Sequence, residues 1–290
     1  VDDASEVDLA GFVAGLAGEL TSIRPRVVRT GAEPLGVSGA YNAGIDAARG
    51  TYTLLATDDS VLAPDCVEAH LAAQVGGGSP TYFCGVERQY VYSVLFRDVT
   101  TGALHHPSDL AVRTFGTLLG FADLRLAAEQ LGFTEWTLTP EDVRYRYPEL
   151  SRVSALTPNF RDMYDNLRDA GNDLRWLCVR MGNHSARRAD LLAVGGIEET
   201  LPGSNSDQDL GLLLLDAGVQ IELATEANSI LLEHRRNLRA LTDHSGLQWL
   251  SGRWSRSDVR RLHEYFARGA NRSIADYRRT LALYADQETG

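Results

Sequence analysis

The feature that most constrains this chain is a repeated switch between two hydrophobic periods in its first third. Leu9, Phe12, Val13, Leu16 and Leu20 recur at helical spacing, and Ser5 with Asp8 three residues on reads as a capping box ahead of them. Residues 26–29 (RVVR) read as a short strand, 31–36 as a turn-rich loop, and 38–49 as a helix stopped by Gly50. Residues 52–56 (YTLLA) read as a strand that ends on Thr57-Asp58-Asp59. Pro64 opens the next helix, where its missing N–H costs nothing, 76–80 (GGGSP) ends it, and 81–86 begins a further strand. This β-α-β-α-β alternation predicts an α/β fold with a mostly parallel, Rossmann-like sheet flanked by helices.

The pattern blurs over residues 98–175, where helical periodicity mixes with aromatics such as Trp136, Tyr145, Tyr147, Phe160 and Tyr164. Beyond it, 174–179 reads as a strand, 191–194 as a short helix before Gly195-Gly196, and 209–217 as a helix closed by Gly218. Residues 219–223 and 230–232 read as two short strands, and the arginine-rich stretch from 235 onward as helical.

Composition excludes several function classes. The net charge of −11 argues against a nucleic-acid partner, because phosphate binding normally needs a basic face. All 28 basic residues are arginine, so Schiff-base lysine chemistry and the Walker lysine of a P-loop are both absent. Cys66, Cys84 and Cys178 are too scattered for a zinc pattern or a disulfide framework, and a reducing cytoplasm is the expected setting. No apolar run reaches the roughly 18 residues of a transmembrane segment, and no signal-peptide pattern opens the chain.

Four places carry candidate chemistry. Asp58-Asp59 follows an apolar strand, and open α/β sheets bind ligands beyond the carboxyl ends of their strands. Two adjacent carboxylates repel unless a cation neutralises them, and such oxygen donors suit Mg²⁺ or Mn²⁺ bridging to substrate phosphate. A solvated turn is the competing reading. Ser206-Asp207-Gln208-Asp209 precedes an apolar helix, with Asp207 a candidate general base against the plainer reading of acids at a helix N-terminus. Glu233-His234 ends an apolar run, where a histidine can complete a metal site. The glycines of 36–44 (GVSGAYNAG) allow close backbone approach to a ligand but lack the dinucleotide fingerprint.

Taken in order, these segments resemble glycosyltransferase family 2. VDDAS at 1–5 is similar to the family's strand-end VDDxS, and 35–65 (LGVSGAYNAGIDAARGTYTLLATDDSVLAPD) to its long glycine, Ala-Asn-Gly and acidic run. Residues 183–199 (NHSARRADLLAVGGIEE) resemble its N-S-R-R and double-glycine segment, and 206–218 (SDQDLGLLLLDAG) its E-D-x-D-L segment. The resemblance covers about residues 1–234, is weakest over 88–175, and begins at the family's second strand.

It implies the GT-A fold over 1–234, with a nucleotide-binding half to about 87, an acceptor half over 88–234, and a helical extension over 235–290. It implies transfer, with inversion, from a nucleoside-diphosphate-sugar to a hydroxyl of a carbohydrate or small-molecule acceptor, using Mn²⁺ or Mg²⁺. By resemblance Asp2 and Asp3 meet the nucleotide base, and Asp58, Gly36 and Asn42 lie on the donor side. Asp59 and His234 bind the metal, Asp207 is the base, and Asn183 and Asp209 face the acceptor. Tyr41 stands where arginine is common, Ser206 where glutamate is usual, and Ile197-Glu198 where Phe-Asp is usual. SGRW at 251–254 is similar to the Q-x-x-R-W of processive synthases, but Leu250 holds the glutamine position, which excludes processive synthesis from this reading. A non-catalytic nucleotide-sugar-binding module and a nucleotidyltransferase are the alternatives.

Overall fold

Strand β1 (Tyr52–Ala56) forms where the apolar, β-branched run predicts it. The chain was analysed as a computed structural model, which describes residues 1–16, 24–90, 96–98, 103–104, 139–169, 171–201, 205–232, 245–262 and 273–288. Ahead of β1 lie helices α1 (Leu9–Leu16) and α2 (Gly36–Ala47). Asp8, rather than Ser5, serves the start of α1: its carboxylate accepts from the Gly11 amide at 2.9 Å. Residues 26–29 contribute only an isolated parallel bridge, Asp2 to Arg29, and not the expected strand.

After β1 come β2 (Ser60–Leu62), α3 (Cys66–Gly76) and β3 (Thr81–Tyr90), then a small hairpin of β4 (Phe96–Asp98) and β5 (Ala103–Leu104). Helices α4 (Pro140–Tyr145), α5 (Tyr147–Val153) and α6 (Pro158–Arg168) follow, each with proline in its first turn, where it is tolerated. The expected strand at 174–179 is instead a 3₁₀ turn, Arg175–Cys178, that buries Trp176 and Cys178. Strand β6 (Asn183–Arg187), helix α7 (Arg188–Ala193), helix α8 (Ser206–Asp216) and strand β7 (Gln220–Leu232) complete the α/β part. Helices α9 (Ser245–Arg253), α10 (Ser257–Arg260) and α11 (Ile274–Glu288) close the chain.

The five-stranded sheet has the order β1-β6-β3-β7-β2. Only β3 and β7 pair in parallel; β1 with β6, β6 with β3, and β7 with β2 are antiparallel. The expectation of a mostly parallel sheet is therefore corrected to a mixed, largely antiparallel one. The cause is local. β1, β3 and β7 do run in one direction, but β6 slots between β1 and β3 in the opposite sense. The short segments expected at 219–223 and 230–232 are one strand, whose register against β3 jumps between Gly85 and Val86.

Helices cover both faces. Tyr82 and Cys84 point into the main core with Trp176, Leu210, Leu212 and Leu214, while Phe83 points to a smaller cluster with Cys66 and Ala63 under α3. Leu247, Leu250, Val259, Ile274 and Tyr277 of the C-terminal helices belong to the main core. Among the described residues no helix is long and apolar enough to cross a membrane.

Candidate active site

The carboxyl ends of the three co-directional strands set the site's frame. β1 runs out into Thr57-Asp58-Asp59, a tight turn in which Thr57 O accepts from the Ser60 amide at 3.1 Å. The turn is tied to the last residue of β7, where the Leu232 amide donates to Asp59 O at 2.7 Å. Asp58 is exposed and Asp59 half-buried. His234, the expected second metal ligand, is two residues beyond Leu232 and lies outside the described residues.

Tyr41 shows which acids act near this turn. Its hydroxyl, carried on α2, donates to Met181 O. Burial raises its ionisation well above the ordinary tyrosine value, and the negative charges of Asp59, Glu87, Asp207 and Asp58 raise it further, in that order. Charges act at this strength only over short distances. Asp59 and Asp207, far apart in sequence, are therefore both near enough for their charges to act on one phenol, as are Asp58 and Glu87.

Asp207 is half-buried in the first turn of α8, a position its charge favours. Asn205 precedes that helix at φ 107°, and its amide donates to Gln208 Oε1 at 2.9 Å. Asp209 turns the other way. It is fully buried, its Oδ1 accepts from Trp254 Nε1 at 2.7 Å, and Arg253 Nε stands 3.5 Å from the same oxygen. Burial pushes its carboxyl above the usual range, against the pull of the Trp254 N–H and the Arg253 charge. Arg253 also meets Glu198 Oε2 at 2.8 Å and packs over the ring of Trp249 at 4.9 Å. Asp209 thus holds the C-terminal helices against α8 instead of facing an acceptor.

The remaining expected residues have defined places. Asp3 Oδ1 accepts from Thr30 Oγ1 at 2.7 Å and the Leu35 amide at 2.8 Å, and its Oδ2 accepts from the Gly36 amide at 2.8 Å. Those bonds, Thr30's first, hold its carboxyl below the usual range. Gly36, at φ 80°, lets the chain turn from that cap into α2. Asp2 is 3% exposed and accepts from the Ser5 amide at 3.0 Å. Asn42 clamps the double-glycine loop: it accepts from Ile197 N at 2.8 Å and donates to Ile197 O at 2.8 Å and Glu199 Oε1 at 2.7 Å. Asn183 is fully buried, its Oδ1 2.9 Å from His70 Nε2 and its amide donating to Ala227 O at 3.0 Å. Its side chain lies in the core between α3 and β6, so an acceptor contact is not within its reach.

Glu87 was not foreseen. It is 1% exposed on β3, its amide donates to the Tyr164 hydroxyl, and its Oε1 would stand 2.8 Å from a Cβ placed on Gly182. A charged residue inside the apolar run YFCGVERQY was the signal, since a buried carboxylate needs a compensating reason.

Among the described residues no three His, Cys, Asp or Glu side chains stand close enough to hold an ion by themselves. Mg²⁺ and Mn²⁺ do not need that, because they commonly take one or two carboxylates and complete their shell with substrate phosphate and water. Asp59, half-buried in its turn, is one carboxylate of that kind.

No curated protein matches the chain. The family model described as Glycosyl transferase family 2 matches residues 1–97, a span that holds the Asp3 cap, Tyr41, the Asp58-Asp59 turn and Glu87. Residues 1–97 of this chain therefore carry a glycosyl transferase family 2 domain, and glycosyl transfer is the activity that this domain implies.

Proposed function

We propose that the enzyme moves a sugar, with inversion, from a nucleoside-diphosphate-sugar to a hydroxyl of a carbohydrate or small-molecule acceptor. The observation that carries this reading is the Asp58-Asp59 turn at the end of β1, tied to the end of β7 by the Leu232 amide, with the charge of Asp207 acting on the same Tyr41 phenol as theirs. One pair of carboxylates follows a strand and the other acid opens a helix across the cleft. That arrangement suits a donor diphosphate on one side and an acceptor hydroxyl on the other.

Asp58 would meet the ribose of the donor. Asp59 would hold Mn²⁺ or Mg²⁺ with His234, whose place in the chain follows Leu232, itself bonded to Asp59 O. The bound cation supplies charge stabilisation for the departing diphosphate. Asp207 takes the acceptor proton as the hydroxyl attacks the anomeric carbon opposite the leaving group, help worth about 10²–10⁴ in rate. The Tyr41 phenol keeps its proton and its bond to Met181 O, so it orients the cleft without adding charge.

Asp207→Asn is expected to lower kcat at least about a hundredfold with donor affinity unchanged. Near-normal turnover would remove Asp207 from this role. Chelation with EDTA is expected to stop transfer, and Mn²⁺ or Mg²⁺ to restore it; full activity in chelator rejects the cation.

A further inference from the structure

Arg180 is a half-buried cation that the mechanism above does not use. It sits between the 3₁₀ turn and β6, one residue before the carbonyl that accepts from Tyr41. Its carbonyl is engaged there: Arg180 O accepts from the Tyr82 hydroxyl at 2.7 Å, the Met181 carbonyl accepts from Tyr41, and Gly182 lies against Glu87. Its side chain is not. The guanidinium carbon lies 4.5 Å from the centroid of the Phe160 ring, and among the described residues the group makes no hydrogen bond and no ion pair.

A guanidinium carries five N–H donors in a fixed fork, matched to carboxylate or phosphate oxygens. An aromatic face attracts the charge but offers no lone pair, so those donors stay unused. Its nitrogens are not among the buried unpartnered atoms, so the fork is open to solvent, and no carboxylate among the described residues comes within 4 Å to occupy it.

The position favours the acceptor over the donor. The charge of Arg180 acts on Tyr164 and His184, beside β3 and β6. Phe160, under the guanidinium, is 6.0 Å ring to ring from Tyr164, whose hydroxyl meets the Glu87 amide, so the group stands on the Tyr164 side.

We propose that Arg180 binds an anionic group, a carboxylate or a phosphate, on the acceptor, so that the enzyme prefers acidic acceptors to neutral ones. This rests on the glycosyltransferase reading above.

The test compares ligand pairs that differ by one charge. Methyl glucuronide against methyl glucoside probes carboxylate, and glycerol 1-phosphate against glycerol probes phosphate. Binding is measured by calorimetry on the full chain with Mn²⁺ and whichever of UDP, GDP or dTDP it binds. The wild type is expected to bind the charged member of at least one pair about tenfold more tightly, the strength of one charge-assisted pair. Arg180→Met, which keeps a long apolar stem over Phe160, is expected to abolish that preference, and Arg180→Lys to retain part of it. Thermal midpoints and unchanged nucleoside-diphosphate affinity check that both variants are folded.

A wild type that binds both members alike, or none of the four ligands, overturns the proposal. So does a preference that survives in Arg180→Met, or a loss of nucleoside-diphosphate affinity there, which moves Arg180 to the donor. Failure of the wild type to bind any of the three nucleoside diphosphates defeats the donor reading instead.

Discussion

Asp3 caps a helix before it meets any ligand. Three donors from Thr30, Leu35 and Gly36 converge on its carboxylate, so in the free enzyme it fixes the entry to α2 and, through α2, the position of Tyr41. Asp3→Ala is expected to speed amide exchange at Leu35 and Gly36 without any nucleotide present; unchanged exchange refutes the cap. A second single-residue effect is electrostatic. The Thr200 hydroxyl, the Thr200 amide and Arg253 hold the Glu198 carboxyl at about 2, against an ordinary 4.5. Its contribution to stability is therefore complete above about pH 4.5 and fades as the pH falls toward 2. The thermal midpoints of wild type and Glu198→Gln are expected to differ most above that upper value and to merge near the lower one. The acids at strand and helix ends were legible in the sequence because their position alone gives them a reason. Glu87 was not, because its partner Tyr164 comes from a helix in the stretch where periodicity fails. Asn42 and Asn183 sit in motifs that resemble a family's ligand contacts, yet their geometry is that of struts. Sequence spacing cannot tell a side chain that faces a ligand from one that faces a loop two turns away.

Between α3 and β6 the protein buries a polar strip. His70 is 2.9 Å from Asn183 Oδ1 on one ring nitrogen and 2.9 Å from Ser185 Oγ on the other, and Gln74 donates to Ser185 at 3.1 Å. Burial lowers the His70 value, so the ring is neutral and can donate from one side and accept on the other. Asn183→Ala removes the partner of His70 Nε2 and the side-chain partner of Ala227 O, at about 1–3 kcal/mol for each. Chemical denaturation should show that loss, and an unchanged midpoint would mean that water replaces the amide. The same strip explains Gly85, where an added Cβ would stand 2.3 Å from Asn183 Nδ2 and 2.7 Å from Ala227 O. Gly85→Ala is expected to destabilise by about 1–3 kcal/mol through this clash. Strands β1 and β3 and helices α2, α3, α7 and α8 were legible from period and punctuation. β6 was not: four of its five residues, NHSAR, are polar or charged, and only the buried strip makes a strand of them.

Across the whole molecule, the C-terminal helices and the sheet share one core. Asp258 accepts from Trp176 Nε1 at 3.1 Å, Asp162 accepts from the Ile274 amide at 2.6 Å, and Tyr277 is fully buried. A chain cut after Leu232 would expose those apolar faces and lose the Trp254 bond to Asp209. It is expected to lose the cooperative unfolding transition, whereas two separate transitions in the intact chain would show that the helices fold independently. The order of the strands has a further consequence for how the protein is made. β1 and β3 meet no common neighbour until β6 supplies it. On a ribosome adding about 5–20 residues per second, β6 follows β3 by roughly 5–20 s. Among the described residues of the stretch matching the family model, no strand joins β1 to β3. Synthesis must therefore run well past β3 before the sheet that carries the Asp58-Asp59 turn can close.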